Sequence, residues 1–578
     1  MIHQQIRPSQ FITTYGPGSI LETRSGPVVA LSADRVFNDN GLALQDFEIR
    51  DSRLARDPAI SGAGIVRIPS NAEVIREEQF ALYATEGLPY WSLCVAHRVL
   101  YWARNGCPQC PPSRNARSAR EKAGREAIRF VRACAAGHLD DVDWNYVVHN
   151  GPACGGQPGY YLWMGGGGSL RNVEVRCPGC GAPVNFGTAY ARDWRCSERF
   201  PERGPRPAQS SCAVPARIIQ RGAANLRTAN VVSALTIPPI ASRLHNILQD
   251  SRLMAFCTTL IGLNLLTEAN FRQGLSRIQP AISVAVIQFL QSRSWPDIQQ
   301  AINDVTAQAA AGNRPLKDDE FDSLRFAAVN GAPAIPAPQL GAPPLFEVRA
   351  AEVRRFMGPA GRYRFRVVPI SRLRMVLVQT GYRRFDPVAG SLVSVAFQAG
   401  GRQWYPGVEL FGEGVYIDLE DADLDLDGTR ARAWTQSYQP NQQDETLHPV
   451  HVWWHTLAHR LLRALSIDSG YSSAAIRERV YLRMEPGRAA RGGLLLYTVQ
   501  PGGDGTLGGL IGLVPSFDRV IASALRDLAS CSNDPLCEEA VPDGVNGSAC
   551  YSCLLASETS CEQRNVHLDR ILLLENLP

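Results

Sequence analysis

The residues of this 578-residue chain with the greatest capacity for chemistry are its 15 cysteines, and they cluster. Nine stand from Cys94 to Cys212, and five more, Cys531, Cys537, Cys550, Cys553 and Cys561, fall within 31 positions near the end. Cys107-x-x-Cys110, Cys177-x-x-Cys180 and Cys550-x-x-Cys553 are knuckles. Two thiolates three positions apart across a tight turn grip one tetrahedral ion, and zinc takes four such ligands. Cys134 with His138, or Cys154, is the candidate completion of the Cys107/Cys110 site, and Cys196 with Cys212 that of the Cys177/Cys180 site. In the terminal cluster one cysteine is spare, or two ligands alternate. Cys94 and Cys257 lack partners at ligand spacing and read as buried thiols. The odd cysteine total and the lack of a secretory signal argue against a disulfide framework, so the expectation is two or three zinc ions per chain.

Three other patterns carry possible chemistry. His451, His455 and His459 stand four apart and would form one helical stripe. Thr456 occupies the place where a metalloprotease needs its glutamate base, and the flanking Trp453, Trp454 and Leu461 make the helix apolar, so packed histidines are the plainer reading. The competing one is a metal-dependent hydrolase or nuclease built on that stripe with Asp468 or Glu478. Gly503-x-Gly505-x-x-Gly508 follows a strand-like run, but no helix opens on its last glycine, so it reads as a structural loop able to offer amides to a phosphate. The acidic run Asp423 to Asp427 opens like a calcium loop, yet Trp434 stands where the bidentate glutamate belongs. That acidic stretch suits a basic partner or an arginine row of the same chain.

Net charge is only +4, yet lysine occurs only at Lys122 and Lys317, so nearly all positive charge is arginine. Neither lysine lies in a Walker A sequence, which excludes a P-loop motor. Between Arg349 and Arg384 ten arginines face one acid, Glu352. Alternation would put Arg362, Arg364 and Arg366 on one sheet face, followed by Arg372 and Arg374, as a nucleic-acid surface. A second candidate is the run holding Arg117, Arg120 and Arg125, between the first knuckle and Cys134.

The elements that must position these groups give a multidomain protein of mixed α and β structure. Residues 1–84 are short strands and loops; 85–230 form a cysteine-rich, zinc-ribbon-like region; 231–330 have helical periodicity. A Pro/Ala linker at 331–345 precedes a β-rich, arginine-rich segment at 346–440. Residues 441–578 make an α/β domain stapled by the cysteine cluster. Hydrophobic content of 45% with 20% charged residues is ordinary for a soluble protein, and no apolar run approaches the roughly 20 residues of a membrane helix, so a cytoplasmic location is expected.

The stretches RPSQFITTYGPGSIL (7–21), FVRACAAGHLDDVDW (130–144), RGAANLRTANVVSALTIPPI (221–240), HTLAHRLLRALSIDSGYSSAAIRERVY (455–481) and GGLLLYTVQPGGDGTLGGL (492–510) resemble the DrmB family, as do CSNDPLC (531–537) and ETSCEQRN. DrmB proteins are helicase-partner subunits of bacterial DISARM anti-phage systems. The resemblance implies a non-catalytic, zinc-containing subunit. Its expected partners are a DrmA-type helicase, which supplies ATP hydrolysis, and phage DNA, single-stranded or at a duplex end; it implies no membrane and no small-molecule substrate.

Overall fold

The computed structural model describes residues 6–578 except 50, 52, 55–56, 75–81, 113–114, 152–153, 156–158, 205–210, 237–246, 249–250, 278–283, 297, 300, 303–315, 332–333, 336–343, 387–389, 421–422, 485–488, 502–507 and 558–559. Most of the Pro/Ala linker, Gly503 and Gly505 therefore lie outside the described residues. The chain forms two compact units, one of residues 1–233 with 376–409 and one of 234–375 with 410–578. The segment 346–440 is thus divided between the units rather than forming a body of its own, because its long strands Arg364–Arg383 and Arg402–Leu419 each contribute residues to both. Among the described residues no helix is long and apolar enough to cross a membrane.

The first unit is built from short sheets. A five-stranded sheet runs in the spatial order Pro183–Asn185, Val173–Arg176, Tyr160–Gly165, Val99–Trp102, Trp91–Cys94. Its strands are rich in the β-branched and aromatic residues that fill a half-buried pleated surface. Trp91–Cys94 and Val99–Trp102 form an antiparallel hairpin that pairs Cys94 with Val99, and Arg98 turns it with a left-handed φ of 52°. Trp144, Phe186, Phe130 and Tyr161 form the core beside the sheet. A second sheet pairs Phe130–Cys134 with Ala216–Gln220 on one side and with Leu139–Asp140 on the other. Of the GGGG stretch at 165–168, Gly165 ends the strand Tyr160–Gly165 and the chain bends at Gly167 and Gly168.

The second unit is organised by the helix Pro449–Asp468, which carries proline at its start and is buried along most of its length. Trp453, Trp454, Leu457 and Leu461 are fully buried in one large core with residues of the antiparallel strands Ile476–Arg483 and Arg491–Pro501 and of the helix Phe517–Arg526. Gly492 faces that helix, and a Cβ there would run into the Trp454 indole. The helix Leu316–Asn330 is tied to the sheet by the Arg479–Glu320 and Arg483–Asp318 pairs, both at 2.7 Å. Three helices, Ser251–Gly262, Glu268–Arg277 and Val284–Gln291, have a separate small core in which Cys257 is buried. Burial pushes that thiol's pKa up to about 12.

The arginine row does not form an open face. Arg362 and Arg364 are exposed, but Arg366 is 3% exposed and makes a paired contact with Asp418 at 2.9 and 2.6 Å. Arg374 is buried and donates to Thr236 Oγ1, while the half-buried Arg372 lies over the Phe411 ring. The reason is the register of the long strand Arg364–Arg383, which is buried almost throughout, so a guanidinium on it needs a carboxylate or a ring within the sheet. Of the two partners expected for the acidic stretch, arginines of the same chain are found beside it: Glu420 pairs with Arg355 and Asp423 with Arg491, each at 2.6 Å. The described end of the glycine loop is likewise engaged, since the Gly508 and Leu510 N–H groups donate to buried Glu413 at 2.6 and 2.8 Å.

Arg366→Gln should accordingly lower stability by about 3 kcal/mol, because it removes the paired contact from buried Asp418 and leaves it only Arg325 at 3.5 Å and the Tyr416 hydroxyl at 3.2 Å. The double change Arg362→Gln with Arg364→Gln should stay within about 0.5 kcal/mol of the parent. Denaturant unfolding midpoints distinguish the two.

Candidate metal centres

The turns that close the knuckles are set by local backbone bonds. The Cys110 N–H donates to Cys107 O at 3.1 Å, Gly181 N–H to Cys177 O at 3.0 Å, and Cys553 N–H to Cys550 O at 3.2 Å. Gly106 and Gly181 supply positive φ angles beside the first two. These turns aim N–H groups at sulfur: the Cys550 amide donates to Cys553 Sγ, and the Glu198 amide to Cys196 Sγ, both at 3.3 Å.

Among the described residues, the fold gathers around these turns four Cys/His tetrads whose ligating atoms lie within 4.8 Å of one another. Cys94, His97, Cys107 and Cys110 form the first, with Cys94–Cys110 at 3.7 Å and the His97 Nδ1 3.4 to 3.7 Å from the three sulfurs. Cys94 is therefore a member of a cluster rather than an isolated thiol: the hairpin places it at a strand end, with His97 in the turn. His149, Cys154, Cys177 and Cys180 form the second. Here Cys154–Cys177 measures 3.8 Å and His149 Nε2–Cys180 3.4 Å, while His149 Nδ1 donates to Asn145 O at 2.7 Å and so turns a free Nε2 lone pair toward the sulfurs.

The third tetrad is Cys134, His138, Cys196 and Cys212, with His138 Nδ1 3.3 and 3.4 Å from the Cys134 and Cys196 sulfurs and 3.5 Å between those sulfurs. Cys134 and His138 thus do not complete the Cys107/Cys110 site, and Cys196 and Cys212 do not complete the Cys177/Cys180 site. The pairing of Phe130–Cys134 with Ala216–Gln220 sets Cys134 opposite Ala216 and draws the chain around Cys212 to it instead. The fourth tetrad is Cys531, Cys537, Cys550 and Cys553, with S···S separations of 3.4 to 3.7 Å. Cys561 stands outside it, 3.2 Å from His455 Nε2.

Four sulfurs about 2.3 Å from a tetrahedral ion sit roughly 3.8 Å apart, so all four donor sets match zinc in type, number and spacing. The protein is a zinc protein, and an ion at each set would supply four strong bonds within a short stretch of loop. Each knuckle also contains one thiol readier to ionise than its neighbours. For Cys550, burial works upward but the Cys531 thiol and the N–H groups of Cys553 and Ser552 prevail, lowering its pKa to about 6. For Cys177, burial is likewise outweighed by the Cys180 and Gly179 N–H groups and His149, giving about 7. The missed ligands Cys94, His97 and His149 carried a signal only in part: Cys94-x-x-His97 is itself a mixed knuckle, whereas nothing local marks His149.

Of the histidine stripe, His455 and His459 lie side by side in the core, both within reach of Glu478 and Cys561, and all four are 0–5% exposed. His451 is buried outside that group and is held neutral, first by burial and then by the neighbouring His455. The second arginine run forms the helix Ala116–Arg125, with Arg117, Arg120 and Arg125 exposed. Its Asn115 cap accepts from the Arg117 N–H, and its Lys122 Nζ donates to Cys110 Sγ at 2.9 Å, fixing the helix to the first tetrad.

Residues 7–228 match a domain of unknown function, DUF8724, and residues 457–554 match the MrfA Zn-binding domain, a range that takes in the fourth tetrad. Over 515 residues the chain is 28% identical to the DISARM protein DrmB of Bacillus paralicheniformis, covering 82% of this chain and 83% of that protein. The similarity to that DrmB protein extends over most of this chain. Among solved structures, the DUF1998 helicase MrfA bound to DNA aligns with 40% of this chain and 25% of its own at 12% identity and a TM-score of 0.21, too distant to bear on the fold.

Replacing Cys94 by Ser should release one zinc equivalent from the purified chain, and replacing Cys257 by Ser should release none. Elemental analysis after exhaustive dialysis reads both. Chelation of the whole chain should unfold the segment 531–561 first, because a short loop held by one ion takes most of its folding energy from it.

Proposed function

We propose that this chain is a non-catalytic subunit of a DISARM-type anti-phage complex, one that associates with a helicase partner and helps to hold DNA. The observation that carries the reading is the DrmB similarity, which runs through 82% of the chain and so extends well beyond one module. The absence of a Walker A lysine agrees with ATP hydrolysis residing in a partner. In this reading the four tetrads hold zinc structurally, each with four protein ligands and no place reserved for a substrate.

With Arg366 and Arg374 engaged inside the sheet, the better DNA surface is the helix Ala116–Arg125. Arg117, Arg120 and Arg125 are exposed on it, and Lys122 links it to Cys110 of the first tetrad. Guanidinium groups on a fixed helix suit phosphate oxygens, which accept paired N–H donors. Arg362 and Arg364 are the secondary candidates.

The test has two arms. Co-expression with the helicase subunit of the same defence system should give a complex that survives gel filtration, and two separately eluting proteins would sink the assembly. In the purified complex, changing Arg117, Arg120 and Arg125 together to Gln should weaken DNA binding and flatten the dependence of log affinity on log salt by up to about three units. An unchanged salt slope would remove this helix from the DNA surface.

A further inference from the structure

We propose a fifth metal site, a fully buried zinc centre ligated by His455 Nε2, His459 Nε2, Glu478 Oε1 and Cys561 Sγ. It is distinct from the cysteine tetrad of the same unit and shares no ligand with it. His455 and Cys561 lie outside the stretch that matches the MrfA Zn-binding domain, residues 457–554. The four atoms lie within 4.8 Å of one another, with His455 Nε2 2.8 Å from Glu478 and 3.2 Å from Cys561, and His459 Nε2 3.3 Å from Glu478.

Proton bookkeeping among these atoms points to an ion. His455 Nδ1 donates to His567 O at 3.2 Å and His459 Nδ1 to Leu554 O at 2.9 Å. A neutral imidazole that donates from Nδ1 has a bare lone pair on Nε2. Both Nε2 lone pairs therefore face a carboxylate oxygen, acceptor against acceptor, in a site where all four residues are 0–5% exposed. His459 Nε2 and Glu478 Oε2 have no hydrogen-bond partner, although buried side-chain polar atoms ordinarily find one. Protonating both histidines instead would leave a second positive charge buried opposite a single carboxylate, which is expensive in a dry core.

A divalent cation resolves both difficulties. It gives each lone pair a partner. With one carboxylate, one thiolate and two neutral imidazoles it also forms a unit of zero net charge, the kind best tolerated where water is excluded. The donor set of two nitrogens, one sulfur and one oxygen fits zinc, and the histidines are oriented by backbone carbonyls, as metal-bound imidazoles usually are. The Asn565 N–H, 3.3 Å from Cys561 Sγ, offers the thiolate its own hydrogen bond.

The site explains how three separate stretches of the second unit are joined. His455 and His459 come from the helix Pro449–Asp468, Glu478 from the strand Ile476–Arg483, and Cys561 from the terminal segment. Leu554, whose carbonyl orients His459, directly follows the tetrad ligand Cys553, so this centre and the cysteine site brace one another through a single peptide.

The deciding experiment is anomalous diffraction at the zinc absorption edge on crystals of the unaltered full chain, which needs no variant to fold. The expected result is a peak enclosed by His455, His459, Glu478 and Cys561 in addition to those at the four Cys/His tetrads. Peaks at the tetrads with none at this position would overturn the proposal, and a peak there that follows the iron edge rather than the zinc edge would overturn its metal assignment. As a second measurement, His459→Ala should lose one zinc equivalent while retaining those of the four tetrads. A folded variant with unchanged zinc content would also refute the site.

Discussion

Several thiols and imidazoles drawn to one point need a cation, and the rest of this structure depends on that need. Three or four sulfurs within 4.8 Å of one another are only weak hydrogen-bonding partners, and their thiolate forms repel. The first unit shows the consequence most clearly. Its strands between Trp91 and Gln220 are two to six residues long, joined by irregular turns, and such pieces bury too little apolar surface to hold one another. Three ions at the ends of these strands would supply what the small cores around Trp144 and Val131 do not.

The second unit uses the same chemistry for a different mechanical purpose. Its core is large, and the helix Pro449–Asp468 runs through it with Trp453 and Trp454 fully buried, so the ions are not needed to create a hydrophobic interior. They secure the last stretch of chain, which has little regular structure before the helix Arg570–Glu575. Ion pairs assist: Arg570, fully buried, reaches Asp534 at 2.6 Å, and Asp569 caps the terminal helix by accepting from the Ile571 and Leu572 N–H groups.

Charge is handled by the same economy. A chain whose cations are almost all arginine could have displayed them, yet many are buried. Arg366 meets Asp418, Arg479 meets Glu320 and Glu562, and Arg384 donates to the carbonyls of Gly18, Gly137 and Leu226. The planar guanidinium, with five donors and weak hydration, is the cation best suited to such interior bracing. What remains outside, above all on the helix Ala116–Arg125, stands out the more for that.

The sequence by itself determined the chemistry: zinc as the metal, the three Cys-x-x-Cys knuckles, the mixed α and β architecture, and the DrmB resemblance carried by blocks at both ends and in the middle. Knuckles are legible because both ligands and the turn that aims them lie within four residues, so local geometry settles them. Tertiary structure alone decided which distant residues complete each tetrad, because packing of strands, turns and, for His149, the helix Trp144–His149 brings Cys94 to Cys110, Cys134 to Cys196 and His149 to Cys180. It also decided that Arg366 turns inward. Alternation specifies which side of a strand a residue takes, but whether that side meets water or another layer depends on what the rest of the chain lays against it. The same limit hid the partners of His455 and His459: a four-residue spacing shows that two histidines share a helix face, and only the fold sets Glu478 and Cys561 opposite them.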